Sequence, residues 1–490
     1  MNAETNTFNG NNGGMLKVSL VYMVVGFVVF LLMGLLGLLM RLNHAGIFLL
    51  PADWFYRIMT LHGSGMVAAS LLFSMGGFAA VLSKSVKLSP RILWTAFFIY
   101  FLGAGFVIIA TLIGGFGAGW TVLHPLPYQS GGAWGLWAAI AMYLGYLFVA
   151  VGFLLYCLNM LYAVVVKYGG LGKALAWEYL FSGGRKGGDN LPSPVELVAA
   201  VVAIDGAITV VAGAILLIPM FANAAGLVEV VDALFAKNLL FLFGHTLVNL
   251  NIYLAAGLVY AILPVYTNRK WETKWPVALA LNLVIILVLL PYFHHLYQDF
   301  SQNFFLHVVG VIGSYGVAIP AFVVTIIGSM ALIYRSGMRW AVPSVLIALG
   351  LWGWTFGGMG ALLDSTIPVN QVMHNTQWVV GHFHTYWLMG AVAFSLGYMY
   401  HLINELSDSE ESGTSRMAAW LYGLGSAGFL LMFFLSGANS VPRRYATYLP
   451  DWHTYPTVAV VFVLILTVGL LILTLEMLGR LKGAWQGTSG

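Results

Sequence analysis

Two histidines, His382 and His384, stand at the start of a long apolar run that reads Val379-Val-Gly-His-Phe-His-Thr-Tyr-Trp-Leu. Residues at positions i and i+2 of a helix point about 200° apart, so these two imidazoles face nearly opposite directions and cannot hold one small ion. The spacing therefore predicts two different partners, one on each side of the helix. Simple packing at a helix end is the alternative, but it must also account for four further histidines in apolar segments.

Those four histidines are His62, His245, His294 and His295. Polar side chains within a bilayer usually face the interior of a helix bundle and mark a functional site. His294 and His295 lie about 100° apart at a helix end. Together with His245 from the neighbouring helix they could supply three imidazoles to one copper or iron ion and leave a coordination position open.

The remaining histidines suit porphyrins. His62 and His384 could approach one haem from both sides as axial ligands, which saturates the iron and suits it to electron transfer. His382, which faces the other way, could hold a second haem from one side only, with its free face towards the three-histidine metal. The sequence thus predicts two haems, one low-spin and one high-spin, and one non-haem metal, Fe or Cu.

Composition places these residues in a membrane. Of the 490 residues 60% are hydrophobic and 8% charged, and the mean hydropathy is +0.88, values typical of a polytopic membrane protein. We predict an all-α bundle of about twelve transmembrane helices forming one domain over residues 15–485, after a disordered cytoplasmic tail over 1–14. Apolar runs long enough to cross a bilayer occur at about 15–42, 54–83, 92–115, 133–166, 195–222, 237–265, 276–297, 303–334, 340–364, 376–403, 416–438 and 455–480.

Charge sets the expected orientation. Most of the 21 Lys and Arg residues fall on one side of such a bundle, so the positive-inside rule predicts that both termini are cytoplasmic. All six histidines then lie in the outer half of the bilayer, which we expect to be the inner (plasma) membrane of a cell. No nucleic-acid partner is expected.

The cysteine content limits how electrons can arrive. The lone Cys157 lies in an apolar run, which excludes an internal disulfide and a cysteine-built metal centre. The chain also lacks a CxxCH haem-attachment motif. Electrons must therefore come from a partner subunit of the cytochrome c or cupredoxin type, or from quinol.

Together these motifs resemble the catalytic subunit, subunit I, of the haem-copper oxidase superfamily, and the likeness runs from about residue 15 to residue 485. Its B-type branch is the most similar. The stretches that carry the likeness are Leu61-His-Gly63, Phe293-His-His-Leu-Tyr-Gln-Asp299, His374-Asn-Thr-Gln-Trp-Val-Val-Gly-His-Phe-His384 and Val441-Pro-Arg-Arg444.

The resemblance implies a role for each histidine. His62 and His384 match the ligands of the low-spin haem, and His382 matches the ligand of the high-spin haem. The ligands of the non-haem metal are matched by His245, His294 and His295.

It also implies a polar zone near the outer face. Arg443 and Arg444 match the pair that neutralises haem propionates, a use of guanidinium groups opposite carboxylates. His374, Asn375 and Asp364 match the polar groups above those propionates. A hydrogen-bonded loop without a role in cofactor binding is the alternative for these three residues.

The informative departure from the family lies one turn after His245. Oxygen-reducing A- and B-type members carry a tyrosine four residues after this histidine, covalently tied to a metal-ligating histidine, whereas nitric oxide reductases carry a glutamate there. Here the residue is Asn249. Its amide offers an oxygen without charge and has no phenolic proton or electron to give.

Another polar group could serve the reaction centre. The tyrosine that C-type oxidases use lies in the seventh helix, but that region here, around Leu287, is apolar. Ser314 and Tyr315 in the eighth helix are better placed, because nitric oxide reductases carry a glutamate in about this region. We therefore predict catalytic roles for Asn249, Ser314 and Tyr315, with a hydrogen-bonded core phenol as the alternative for the tyrosine.

The function predicted from these features is nitric oxide reduction, 2 NO + 2 H⁺ + 2 e⁻ to N₂O + H₂O. A B-type-like terminal oxygen reductase is the first alternative. The second alternative, from another class, is a non-catalytic haem-bearing membrane subunit for electron transfer or gas sensing.

Protons need a route to this centre. In the B-type branch a line of polar residues leads from the cytoplasm to the reaction centre. Of these residues Tyr260 and Thr325 are present here, but Ala256 stands where that branch has a tyrosine. We therefore predict uptake from the outside, without pumping, past Asp299, Gln298 and the Arg443–Arg444 pair.

A cytoplasmic route is the competing prediction. It would use Tyr260 and Thr325 together with Asp205, an ionisable residue within the fifth apolar run. Glu196, near the start of the same run, is either structural or a second proton-handling group.

Overall fold

The computed structural model describes residues 13–488. Within that range the chain is built from helices and contains no β-strand, only one isolated antiparallel bridge between Thr376 and Pro442. The long helices are α1 (Gly13–His44), α2 (Ala52–Leu82), α3 (Pro90–Ile113), α4 (Leu136–Tyr168), α5 (Pro194–Ala224), α6 (Ala233–Thr267), α7 (Trp275–Leu296), α8 (Phe304–Ile333), α9 (Val342–Asp364), α10 (Gln377–His384, Thr385–Val392 and Ala393–Ser407 in succession), α11 (Gly413–Ala438) and α12 (Pro450–Gly487). Short helices occupy Leu171–Ala174, Trp177–Phe181, Gly188–Asn190 and Ile367–Met373.

Eleven of these helices are long and apolar enough to cross a membrane by length and composition. The other one, α10, is the predicted span at 376–403, and a π-helical segment over Thr385–Val392 divides it into shorter pieces. The predicted fold class, an all-α membrane bundle, is therefore confirmed, and the predicted boundaries differ from the observed ones by a few residues.

Close backbone contacts hold neighbouring helices together. A Cβ on Gly26 of α1 would lie 2.6 Å from the backbone nitrogen of Phe73 in α2, and one on Gly425 of α11 would lie 2.4 Å from the backbone nitrogen of Leu466 in α12. The hydrophobic effect contributes little to helix association within lipid. Small residues that allow close backbone packing are therefore expected at helix–helix interfaces.

Two helices depart from regular geometry where the sequence analysis places histidines. Helix α7 is α-helical over Trp275–Leu287, turns, and resumes as a 3₁₀ segment over Pro291–Leu296. In α10 the π-helical segment begins directly after His384. Such irregular turns frequently occur at functional sites.

The domain prediction remains a prediction. Most of the tail proposed over 1–14 falls outside the described residues, and α1 already begins at Gly13. Glu196 belongs to the architecture: it closes a capping box with Ser193, accepts a hydrogen bond from Tyr168 at 2.9 Å and pairs with Lys167 at 2.5 Å. These contacts favour the structural role over a proton-handling one.

Candidate metal and haem centre

Three histidines converge on one point between α6 and the end of α7. One nitrogen from each of His245, His294 and His295 lies within 4.8 Å of the others, and Nδ1 of His245 is 3.0 Å from Nε2 of His295. Metal–imidazole bonds are about 2 Å long, so this spacing suits a single ion between the rings. Among residues 13–488 it is the one group of at least three His, Cys, Asp or Glu side chains with that geometry.

Two serines fix the orientation of His294. Its Nδ1 lies 3.0 Å from Oγ of Ser314 and 3.2 Å from Oγ of Ser365. Both hydroxyls donate their own protons to backbone carbonyls, at Gly310 and Ala361, so they accept from Nδ1–H. Nε2 of His294 is thereby left free to bind a metal. Ser314 also lines the cavity, and its catalytic role remains a prediction.

His62 of α2 and His384 of α10 face each other. Their ring planes are 13° from parallel and their ring centres are 6.2 Å apart, which leaves room for one metal ion bonded to a nitrogen of each ring at about 2 Å. Nδ1 of His62 is 2.8 Å from the Met33 carbonyl, and Nδ1 of His384 is 2.9 Å from the Val380 carbonyl. Carbonyls only accept hydrogen bonds, so Nδ1 carries the proton and Nε2 is free in both residues.

His382 follows the same pattern on the other side of α10. Its Nδ1 lies 3.1 Å from the Gly357 carbonyl, and its ring meets Tyr386 with ring centres 5.6 Å apart. All six histidines line one continuous cavity of about 740 Å³. Apolar side chains such as Phe429 and Phe433 form much of its wall, as expected of a cofactor site.

The loop between α11 and α12 brings two arginines to this cavity. The Thr376–Pro442 bridge and a hydrogen bond from the backbone N–H of Arg443 to the Asn375 carbonyl, 2.9 Å, pin the loop against the start of α10. Arg444 adopts a φ of +68°, a left-handed conformation that costs a residue with a Cβ about 1–2 kcal/mol. Strain of this kind is usually found at functional sites.

The charges of this arginine pair call for an anion. Nε of Arg443 is buried without a hydrogen-bond partner. Desolvation and the like charge of Arg444 lower the pKa of Arg443 to about 9, with Asp364 opposing them. Carboxylates such as the propionates of a haem would satisfy both guanidinium groups. The residues present therefore fit two haems and one metal ion.

Comparison with known proteins agrees with this geometry. The protein family described as Cytochrome C and Quinol oxidase polypeptide I matches residues 17–472. The chain belongs to this family.

Two relatives and one solved structure give the extent of the likeness. The chain is 24% identical over 477 residues to cytochrome c oxidase subunit 1 of Thermus thermophilus. The aligned region covers 91% of this chain and 80% of that protein. It is 25% identical over 464 residues to heme-copper oxidase subunit I+III of Aeropyrum pernix. Here the aligned region covers 89% of this chain and 53% of that longer protein. A solved heme-copper terminal oxidase dimer matches with a TM-score of 0.79 at 20% identity, over 95% of this chain and 84% of that chain, and so shares its fold.

As a member of the haem-copper oxidase subunit I family the chain is an oxidoreductase of the membrane that binds haems and a metal centre. The predicted resemblance is thereby confirmed at the level of the family. The assignment of individual ligands remains a prediction, although the cavity gathers all six histidines.

The polar zone is only partly assembled as predicted. His374 and Asn375 line the cavity, whereas Asp364 lies buried beside it with neither carboxylate oxygen hydrogen bonded. Burial and the positive charges of Arg443, Arg444 and Lys237 lower the pKa of His374 to about 3, so this imidazole is neutral.

Asn249 lies at the cavity as predicted. Its Nδ2 donates to the carbonyl of His245, 3.0 Å away, and this leaves its amide oxygen uncommitted. No phenol occupies this position.

The catalytic role of Tyr315 remains a prediction, and its position gives that role no support. The side chain is 44% exposed and its hydroxyl is hydrogen bonded to Oγ1 of Thr366 at 2.8 Å, so it does not line the cavity. Adjacent residues on a helix point about 100° apart. Because Ser314 faces His294, Tyr315 is turned towards the outside of α8.

Several cavity residues were not identified from the sequence. Tyr253 and Tyr386 line the cavity, as does Lys237, which forms an ion pair with Asp299. Arg41 of α1 also lines it, with its guanidinium 4.7 Å from the centre of the Phe433 ring. A charge within an otherwise apolar helix was the available signal for Arg41.

Proposed function

We propose that this chain reduces nitric oxide, 2 NO + 2 H⁺ + 2 e⁻ to N₂O + H₂O, in the space between His382 and the three-histidine site. The observation that carries the proposal is the asparagine one turn after His245. Splitting O₂ in one step draws on a phenolic proton and electron, whereas coupling two NO molecules takes two electrons and needs no phenol. Asn249 can orient a bound N–O group or a water through its free amide oxygen.

No other phenol compensates at this position. Among residues 13–488 the tyrosines that line the cavity are Tyr253 and Tyr386. Tyr253 lies eight residues after His245, about 12 Å along the helix axis, and is too far for a covalent link. Tyr386 stacks edge-on against His382 instead. This arrangement supports the two-electron reaction.

The chain's own residues hold and orient the reacting groups. When bound, the haems and the non-haem metal would supply the electrons and the Lewis acid for the diatomic substrate. His62 and His384 would hold the electron-transferring haem, and His382 the second haem. Ser314 and Ser365 keep Nε2 of His294 free for the metal, and the arginine pair would neutralise the propionates.

Oxygen reduction is the second candidate. The names of the relatives in Thermus thermophilus and Aeropyrum pernix favour it, because both are called oxidases. At 24–25% identity the names of relatives support membership of the family but do not identify the substrate of this chain. We rank nitric oxide first because the departure falls on a cavity residue one turn after His245, where oxygen-reducing A- and B-type members carry a tyrosine.

The intact three-histidine cluster speaks against a chain limited to electron transfer, because an ion with an open coordination position serves no purpose in that role. A chain limited to gas sensing would form no N₂O from NO, so the same assay distinguishes it. We further propose that electrons come from a cytochrome c, a cupredoxin-type subunit or quinol, and that the active site faces the outside of the plasma membrane.

Substrate preference can be measured directly. The purified protein, loaded with haems and metal and reduced by one chemical donor, should form N₂O from NO much faster than it consumes O₂. Metal analysis on the same sample identifies Fe or Cu, and a high-resolution map should show no side chain joined to His245. Rapid four-electron O₂ reduction, or a crosslinked tyrosine, would reverse the ranking.

A further inference from the structure

We propose that Tyr253 is the side chain that passes protons from the cytoplasmic half of the bundle to the reaction cavity. It carries protons past the interruption at Ala256, where the B-type branch has a tyrosine. The proposal does not depend on whether NO or O₂ is the substrate, because both reductions consume protons in the same cavity.

Tyr253 lies on the face of α6 that carries the rest of the site. Asn249, Tyr253 and Tyr260 follow His245 by four, eight and fifteen residues, which places them within an arc of about 80° on a regular helix. Tyr253 is 4% exposed and lines the cavity. Deeper in the bundle, the hydroxyl of Tyr260 is 2.7 Å from Oγ1 of Thr325.

Side-chain direction carries both phenols towards the reaction centre. Helical side chains lean towards the N-terminus of their helix, and the N-terminal half of α6 carries His245. The phenols of Tyr260 and Tyr253 therefore both reach towards the reaction centre. Tyr260 follows Tyr253 by seven positions, about 10 Å along the axis, and Tyr253 lies within electrostatic range of Tyr260. Water would have to bridge the remaining distance past Ala256.

A buried acid stands beside this tyrosine. Asp205 of α5 is 0% exposed, neither of its carboxylate oxygens has a hydrogen-bond partner, and it lies within electrostatic range of Tyr253. The antiparallel contact of Gly213 with the Phe243 ring sets Asp205 at about the level of residue 251. A buried carboxyl group without a partner is costly when charged, and in a membrane such groups commonly carry protons.

On its other side Tyr253 meets the wall of the cavity near His382. Its ring packs against Trp354, with ring centres 6.3 Å apart, and Trp354 packs against Tyr386 at 6.1 Å. Tyr386 in turn contacts the His382 ring. Tyr253 therefore shares the wall of the cavity with Tyr386 and His382.

The outer route has a weaker structural basis. Its acid, Asp299, is already engaged in an ion pair with Lys237. We therefore favour cytoplasmic uptake and revise the expectation drawn from Ala256 alone. In each transfer Tyr253 gives its hydroxyl proton towards the cavity and regains one from the Tyr260 side through water, so the tyrosine itself is unchanged.

The test measures the rate of proton uptake and not the rate of substrate turnover. The haem- and metal-loaded protein is reduced anaerobically in unbuffered solution with a pH-indicator dye. We expect Tyr253→Phe to slow reduction-linked proton uptake by about 100-fold, with both haem spectra intact. Tyr143→Phe is the matched control, because this buried phenol lies outside the cavity and makes only a 3.4 Å contact with the Val122 carbonyl.

Two further variants make the result decisive. Ala256→Ser added to Tyr253→Phe should restore part of the uptake by supplying a hydroxyl at the gap. Unchanged uptake in Tyr253→Phe, or uptake from the outside in oriented vesicles, would overturn the proposal. Should Tyr253→Phe fail to assemble, Tyr260→Phe decides: slowed uptake supports the route and normal uptake refutes it. The N₂O assay is separate, so the two proposals can fail independently.

Discussion

The absence of a side chain at Gly37 of α1 shapes the low-spin haem site. A Cβ at this position would lie 2.8 Å from the ring of His62, whereas one at Gly105 of α3, outside the cavity, would meet no atom within 4 Å. We predict that Gly37→Ala tilts His62 and shifts or weakens the low-spin signal in optical and electron paramagnetic resonance spectra. Gly105→Ala is the control and should leave the spectrum unchanged.

A low-spin signal unaffected by Gly37→Ala, with the protein folded, would mean that His62 is not an axial ligand. The high-spin signal should survive in either variant, because His382 is anchored to α9 and not to α1.

The ligand assignments make a second prediction at the level of single residues. His384→Ala should abolish the low-spin spectrum, because its only partner across the 6.2 Å gap, His62, cannot supply two axial bonds. His294→Ala should spare that spectrum and lose the non-haem metal, measured by elemental analysis. Finding one haem in the unaltered protein, or low-spin haem in His384→Ala, would contradict the assignment.

At the scale of helices, α9 and α10 pack closely where the π-helical segment runs. A Cβ on Gly353 would lie 2.4 Å from the Cβ of Met389 and 2.5 Å from its backbone carbon, whereas one on Gly390 would meet nothing closer than 3.8 Å. We predict that Gly353→Ala destabilises the protein by about 1–3 kcal/mol and lowers its thermal unfolding temperature. Gly390→Ala should change that temperature little, and equal effects of the two variants would argue against the close contact.

The helices themselves were readable from the sequence, but their irregular turns were not. Runs of about 20 apolar residues mark spans because bilayer thickness fixes their length. No comparable rule marks the π-helical segment after His384 or the 3₁₀ segment that carries His294 and His295. Both depend on contacts with neighbouring helices that only tertiary structure supplies.

The six histidines were predictable because imidazoles are rare and costly within a bilayer. Tyr315 was misplaced and Tyr253 was missed for one shared reason. Helices in lipid are apolar nearly all round, so the pattern does not show which face looks inward. One residue changes the direction of a side chain by about 100°, enough to move Tyr315 from the cavity to the outside.

At the scale of the whole molecule, orientation in the membrane remains a prediction that a single cysteine can test. Cys157 is fully buried, so Cys157→Ser gives a background without reactive thiols. In intact cells a membrane-impermeant maleimide should label Phe300→Cys, which is fully exposed between α7 and α8. It should label Lys186→Cys, an exposed position before α5, only after the cells are opened. The opposite pattern would invert the topology.

The predicted low-spin haem site is built from distant parts of the chain. His62 belongs to the second helix and His384 to the tenth, and the arginine loop that closes the site follows the eleventh. During synthesis at the membrane, a nascent chain with nine inserted helices therefore holds His62 with no opposing ligand. The ligand assignment therefore predicts that haem is captured between these two histidines only after the tenth helix has entered the membrane, late in the synthesis of the chain.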